Sequence, residues 1–276
     1  MGSIDQIIEK VIDDEIDSLM SKSHDDQVKF FEDNFHIPKI KEHDAYPAFI
    51  ELFQRRNLIA HGDMIVNERY INGCKKAGCV ELSKIGERLD IDASYIEQSI
   101  SLCYEMLVLM TISVWRKRRK EESESIFSQL LGITFDLLKD GQPALALRLV
   151  DYALSIKDGG YGQFLKQAFV INRAIALKMQ GKDITDDQVL NSTDFSSSSP
   201  LVRLCLASVK GDVDTAAKCL EPAKMADNIN VGVIRSWPAF QWIRTENEFA
   251  AKVEEVFGQP VAATISINSD DEIKMA

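Results

Sequence analysis

The chain has 276 residues, 45% of them hydrophobic and 27% charged, with a formal net charge of −11. That length and apolar content suit one large or two ordinary globular domains. The acidic balance excludes a general polyanion binder, so any contact with nucleic acid must come from a local patch.

Taken in order, Ile4 to Met20 reads as a first amphipathic helix. Ile4, Ile7, Ile8, Val11, Ile12, Ile16 and Leu19 form its apolar face, and Ser3 is its N-cap. Ser23 or Asp25 caps a second helix through Phe35, with Val28, Phe31 and Phe35 inward. Pro38 and Pro47 bracket a polar connection, and His24, His36 and His43 stand alone on it or near it. A third helix runs through Phe49–His61 and stops at Gly62. Phe49, Leu52, Phe53, Ile59 and Ala60 make its apolar stripe, and Arg56 lies on that stripe. An unpaired buried charge is costly, so Arg56 is expected to have a partner. Asn57 and His61 are four residues apart, on one face.

The segment from Asp63 to Ile85 holds Gly73 and Gly78 and reads as a loop with a short helix near Glu68 to Lys75. Asp92 caps a long helix from Ala93 to about Arg119, with Tyr95, Ile96, Ile100, Cys103, Leu107, Met110 and Val114 inward. Four helices predict an all-α, up-and-down bundle over residues 1–118. It ends in Arg116-Lys117-Arg118-Arg119-Lys120, either a solvated helix end or a phosphate contact.

Beyond residue 118 the pattern becomes paired helices. Ile126–Lys139, Pro143–Leu154, Gln163–Gln180, Leu201–Lys210 and Asp214–Leu220 are separated by Gly141, Gly181 and Gly211. Those breaks are 40 and 30 residues apart, near helical-repeat lengths. The pattern resembles degenerate tetratricopeptide (TPR-like) repeats over residues 119–258, interrupted by a serine-rich loop at 191–200. Trp237 to Phe257 is expected to close the array as a helix pair. Residues 259–276 read as a disordered acidic tail.

Five cysteines (Cys74, Cys79, Cys103, Cys205, Cys219) lack framework spacing and fit reduced thiols in a cytosol. Cys74 and Cys79 have only His61 as a near third ligand, so no metal is expected. No run approaches the roughly 20 apolar residues of a membrane span, and the N-terminus has no leader pattern. A cytoplasmic protein is expected. Phosphate-binding glycine loops and hydrolase motifs such as His-Glu-x-x-His and Gly-x-Ser-x-Gly are absent.

Arg56-Asn57-Leu58-Ile59-Ala60-His61 resembles the Arg-x4-His signature of the HEPN family (higher eukaryotes and prokaryotes nucleotide-binding domains). Arg55-Arg56-Asn57-Leu58-Ile59-Ala60-His61-Gly62-Asp63 is similar to members from bacterial toxin and phage-defence systems. The resemblance implies a cofactor-free endoribonuclease working as a homodimer, with Arg56, Asn57 and His61 catalytic. An imidazole moves protons near neutral pH, and a guanidinium stabilises phosphorane charge through paired donors. RNA would enter a local positive cleft built from Arg55, Lys75, Lys76, Arg116 and Arg118. Two alternatives stay open. In one, Arg56 pairs with Glu15 or Asp17 and His61 only caps its helix. In the other, the chain is a non-catalytic dimeric adaptor whose repeats bind a protein partner.

Overall fold

The computed structural model describes residues 3–38, 40–80, 82–156 and 159–261, and these are all-helical. The expected tail falls mostly outside the described residues. Among the described residues the only extended pairing is an isolated antiparallel bridge between Ile65 and Arg88. Two compact units divide the chain, Met1–Ile126 and Phe127–Ala276.

The first unit contains α1 (Ile4–Met20), α2 (His24–Phe35), α3 (Tyr46–His61), α4 (Glu68–Lys76) and α5 (Ala93–Arg118). Short polar side chains start four of them. Ser3 accepts from the Gln6 amide while Gln6 returns a bond to the Ser3 amide, and Ser23, Asn67 and Asp92 cap α2, α4 and α5. Gly73 lies inside α4, which covers the short helix expected near Glu68 to Lys75. A Cβ there would stand 2.6 Å from Gln54 Cδ, so the glycine lets α4 lie close on α3.

Leu58, Val66, Tyr70, Cys74 and Leu89 form a buried cluster at the end of α3. Burial, with Cys79 and Glu51 nearby, pushes the Cys74 thiol up to about 12.

Two apolar faces differ from expectation. In α5 the buried side is Glu105, Met106, Val108, Leu109 and Ile112, set against α2 and α3, while Ile96, Ile100 and Leu107 face outward. In α3 the buried residues are Tyr46, Ile50 and Leu58. Gln54 sits in that four-residue series and hides it from a reading of apolar spacing. Among the described residues, α5 alone is a candidate membrane span by length and mean hydropathy (1.3), although 33% of its most apolar stretch is buried inside the protein.

The second unit contains α6 (Ser123–Lys139, whose first turn belongs to the first unit), α7 (Pro143–Ser155), α8 (Gln163–Met179), α9 (Gln188–Ser192), α10 (Pro200–Lys210), α11 (Val213–Asp227), α12 (Val231–Ser236) and α13 (Asn247–Phe257). Helices α7 and α8 pack together, as do α10 and α11, and α11 with α13. Gly141, Gly181 and Gly211 end α6, α8 and α10 with the same left-handed turn. In each, the amide after the glycine reaches back to a carbonyl five residues earlier: Gln142 to Leu137, Lys182 to Leu177, Asp212 to Ala207. Phe127, Phe169, Phe240 and Phe249 are fully buried in the core. The expected closing pair is one helix, α13, preceded by a 3-10 turn at Pro238–Phe240. Pro238 disfavours a helical Trp237, and Trp237 is extended, with ψ 128°.

Candidate functional site

The motif occupies the last two turns of α3, and the turn that follows fixes its end. The Gly62 amide bonds the Leu58 carbonyl at 2.8 Å, and the Met64 amide bonds the same carbonyl at 3.2 Å. Asp63 and Met64 both hold left-handed backbone, at φ 50° and 63°, which non-glycine residues rarely adopt. Two consecutive strained residues directly after Gly62 mark a turn held by its surroundings.

Arg56 and His61 are both exposed, and Asn57 is half-buried between them. One Arg56 Nη donates to Asn57 Oδ1 at 3.3 Å. Neither Glu15 nor Asp17 pairs with Arg56. The guanidinium expected to face the core stands instead on the open side of α3, with no carboxylate committed to it among the described residues.

The ion pair belongs to the neighbouring arginine. Arg55 Nε donates to Glu51 Oε1 at 2.8 Å, and its Nη reaches the Asp90 carbonyl at 3.1 Å. Its guanidinium also stacks on the Tyr95 ring, 4.2 Å from the centroid. Glu51 further accepts from Tyr70 Oη (2.6 Å) and Tyr95 Oη (3.2 Å). Burial and the Glu51 bond push the Tyr70 hydroxyl far above its usual range, and burial beside Glu51 puts Tyr95 at about 12. Burial lowers Arg55, but its bond to Glu51 outweighs that and raises it. Arg55 is thus a joint between helices.

Two adjoining clefts border the motif. The smaller, about 210 Å³, is lined by Asn57, His61, Asn67 and Arg69, among others. The larger, about 510 Å³, is lined by Lys22, His24, Arg56, Asn57, Arg69 and Lys76, among others. Asn57 and Arg69 line both. Arg69, exposed on α4, has no hydrogen-bond or ion-pair partner among the described residues. His24 places its ring 3.5 Å from that of Phe53 and bonds Gln27 Oε1 through Nδ1 at 2.7 Å. Neither Arg69 nor His24 was in the expected site, because each reaches it from a separate helix with no motif of its own.

The expected substrate contacts scatter. Lys76 lines the larger cleft but bonds Asp25 Oδ2 at 2.7 Å, and Lys75 is exposed without lining either cleft. Arg116 and Arg118 stand at the end of α5 and line neither cleft, with Arg118 5.0 Å over the Phe35 ring. Asp25 also accepts from Lys41 Nζ at 2.7 Å and from the Tyr46 hydroxyl. Burial raises its carboxyl, but the bonds from Lys41, Lys76 and Tyr46 outweigh that and hold it well below the usual carboxylate range.

The second unit carries a different feature. An apolar groove of about 290 Å³ is lined by Leu131, Phe135, Phe164, Ile171, Cys205 and Trp237, among others.

No family model, no curated protein and no solved structure matches this chain.

Proposed function

We propose that the chain is a metal-independent endoribonuclease of the HEPN type. In this reading the first unit is the HEPN bundle and the second a set of TPR-like hairpins. The observation that carries the reading is the open guanidinium of Arg56. Among the described residues it has no carboxylate partner, and it stands beside Asn57 in a cleft that Arg69 also enters. A structural arginine would be tied down as Arg55 is.

The chemistry needs no protein nucleophile. The ribose 2′-oxygen attacks the adjacent phosphorus, and the bond to the 5′-oxygen breaks as the new one forms. One His61 takes the 2′ proton, and His61 of a second copy gives a proton to the departing 5′-oxygen. Arg56 holds the charge that builds on the non-bridging oxygens, and Asn57 orients Arg56. The products are a 2′,3′-cyclic phosphate and a 5′-hydroxyl. The resemblance extends the proposal to a cytoplasmic role in a toxin or anti-phage system.

Cleavage of end-labelled RNA by the purified chain tests it. Arg56→Ala and His61→Ala are each expected to lower the rate by about 100-fold or more with unchanged melting, since both side chains are exposed. Undiminished cleavage in either variant overturns the assignment, and so does a wild-type product ending in a linear 3′-phosphate only.

The apolar groove of the second unit favours a second reading, an adaptor that holds an apolar segment of a protein partner. A wild-type chain inert on every RNA class would leave that reading standing.

A further inference from the structure

Helix α1 has no buried residue. Ile4, Ile7, Ile8, Val11, Ile12, Ile16 and Met20 are each half exposed or more. Such a stripe repeats at helical spacing along the full 17 residues. A lone helix of that length is marginal in water, and most helical stability in proteins comes from a packed apolar face. Helix α5 has a second open stripe of Ile96, Ile100, Tyr104 and Leu107, with Cys103 and Met110 half-buried along it. Both stripes lie in the first unit, and neither covers the other.

We propose that α1 of each copy docks on the α5 stripe of a second copy, giving a two-fold exchanged dimer. Three observations select this occupant. The lengths match: Ile4 to Leu19 and Ile96 to Met110 each span about 21–22 Å at 1.5 Å per residue. Charge favours the exchange over pairing α1 with itself. Helix α1 carries Asp5, Glu9, Asp13, Asp14, Glu15 and Asp17 against one Lys10, whereas the docked span of α5, from Ile96 to Met110, carries only Glu97 and the buried Glu105, and the basic run Arg116–Arg118 follows it. Two α1 helices side by side would set like charges together. Finally, a two-fold exchange closes both stripes by one contact made twice, as an isologous interface requires. A bilayer surface suits α1 poorly, because interfacial helices carry lysine and arginine on the polar face.

The proposal concerns assembly and does not depend on RNA chemistry. Sedimentation of the full chain is expected to give a dimer at micromolar concentration. The double substitution Ile8→Asp/Ile12→Asp and the single Leu107→Asp are each expected to give a folded monomer whose far-UV dichroism falls by no more than the 17 residues of α1, since all three side chains are exposed. Ile12 and Cys103 are the midpoints of the two stripes, so Ile12→Cys should form a disulfide-linked dimer whichever way the helices run. Adding Cys103→Ser should abolish it. A monomeric wild type overturns the proposal. So does a dimer that survives the substitutions on either helix, a cross-link that persists without Cys103, or flotation of the monomer with phosphatidylcholine or phosphatidylglycerol vesicles. A dimer that cleaves no RNA leaves this interface standing and removes the ribonuclease.

Discussion

Arg55 and Arg56 are adjacent, yet their surroundings give them opposite tasks. Arg55 is held by a carboxylate, a carbonyl and an aromatic face, which tie its guanidinium into the fold. Arg56 has one weak amide contact and an open cleft. Arg69 shares that cleft, and in the proposed ribonuclease it would contact a phosphate flanking the scissile one. Arg69→Ala is expected to raise KM about 10-fold and to change kcat little, read from steady-state cleavage, because a flanking contact binds ground state and transition state alike. Asp25 is a different case, a carboxylate with three donors. Asp25→Ala is expected to cost about 2 kcal/mol in urea unfolding. The acid limb gives an independent check. Because the folded carboxyl lies below its ordinary value of 3.8, its contribution is complete above that pH and is lost as pH falls toward the folded value. The wild type should therefore lose stability below about pH 4 more steeply than Asp25→Ala does.

Helix ends were legible in the sequence, because their causes are local. Ser3, Ser23, Asp92, Pro143 and Gly211 act within one turn, and each starts or stops a helix where its residue type demands. Helix faces were less legible. α5 is apolar on two sides, so periodicity alone did not tell Met106, Leu109 and Ile112 from Ile100 and Leu107; contact with α2 and α3 decided it. In α3, Glu51 and Arg55 occupy inward ground as a neutralised pair, and no apolar count registers that. The motif Arg56-Asn57-His61 could be read from one helix, whereas His24 and Arg69 come from two others and needed coordinates. Glu51→Ala is expected to cost about 3 kcal/mol in chemical unfolding, since it strands the Arg55 charge and two hydroxyls. A loss below about 1 kcal/mol would mean that water satisfies all three.

At the scale of the molecule, the charge of −11 and the local cleft pull against each other. Under the proposed function, RNA would approach an acidic body and meet Arg56 and Arg69. Two phosphate contacts on a single strand predict a log–log dependence of affinity on salt with a slope of about −1.4. A slope near zero would remove the electrostatic cleft, and a slope beyond about −4 would bring in the Arg116–Lys120 run. The second unit carries, besides its apolar groove, a polar opening of about 750 Å³ at the start of α8, lined by Gly160, Tyr161, Gly162, Lys166, Thr193 and Asp194, among others. Lys166 is the one basic side chain of that lining, whereas Arg56, Arg69, Lys22 and Lys76 line the larger cleft of the first unit.

Glu51 joins α3, α4 and α5 through one carboxylate, accepting from Arg55, Tyr70 and Tyr95. In amide hydrogen exchange, those three helices should open as a single foldon with one free energy. α1 lies outside that bond, and its protection should instead rise and fall with protein concentration.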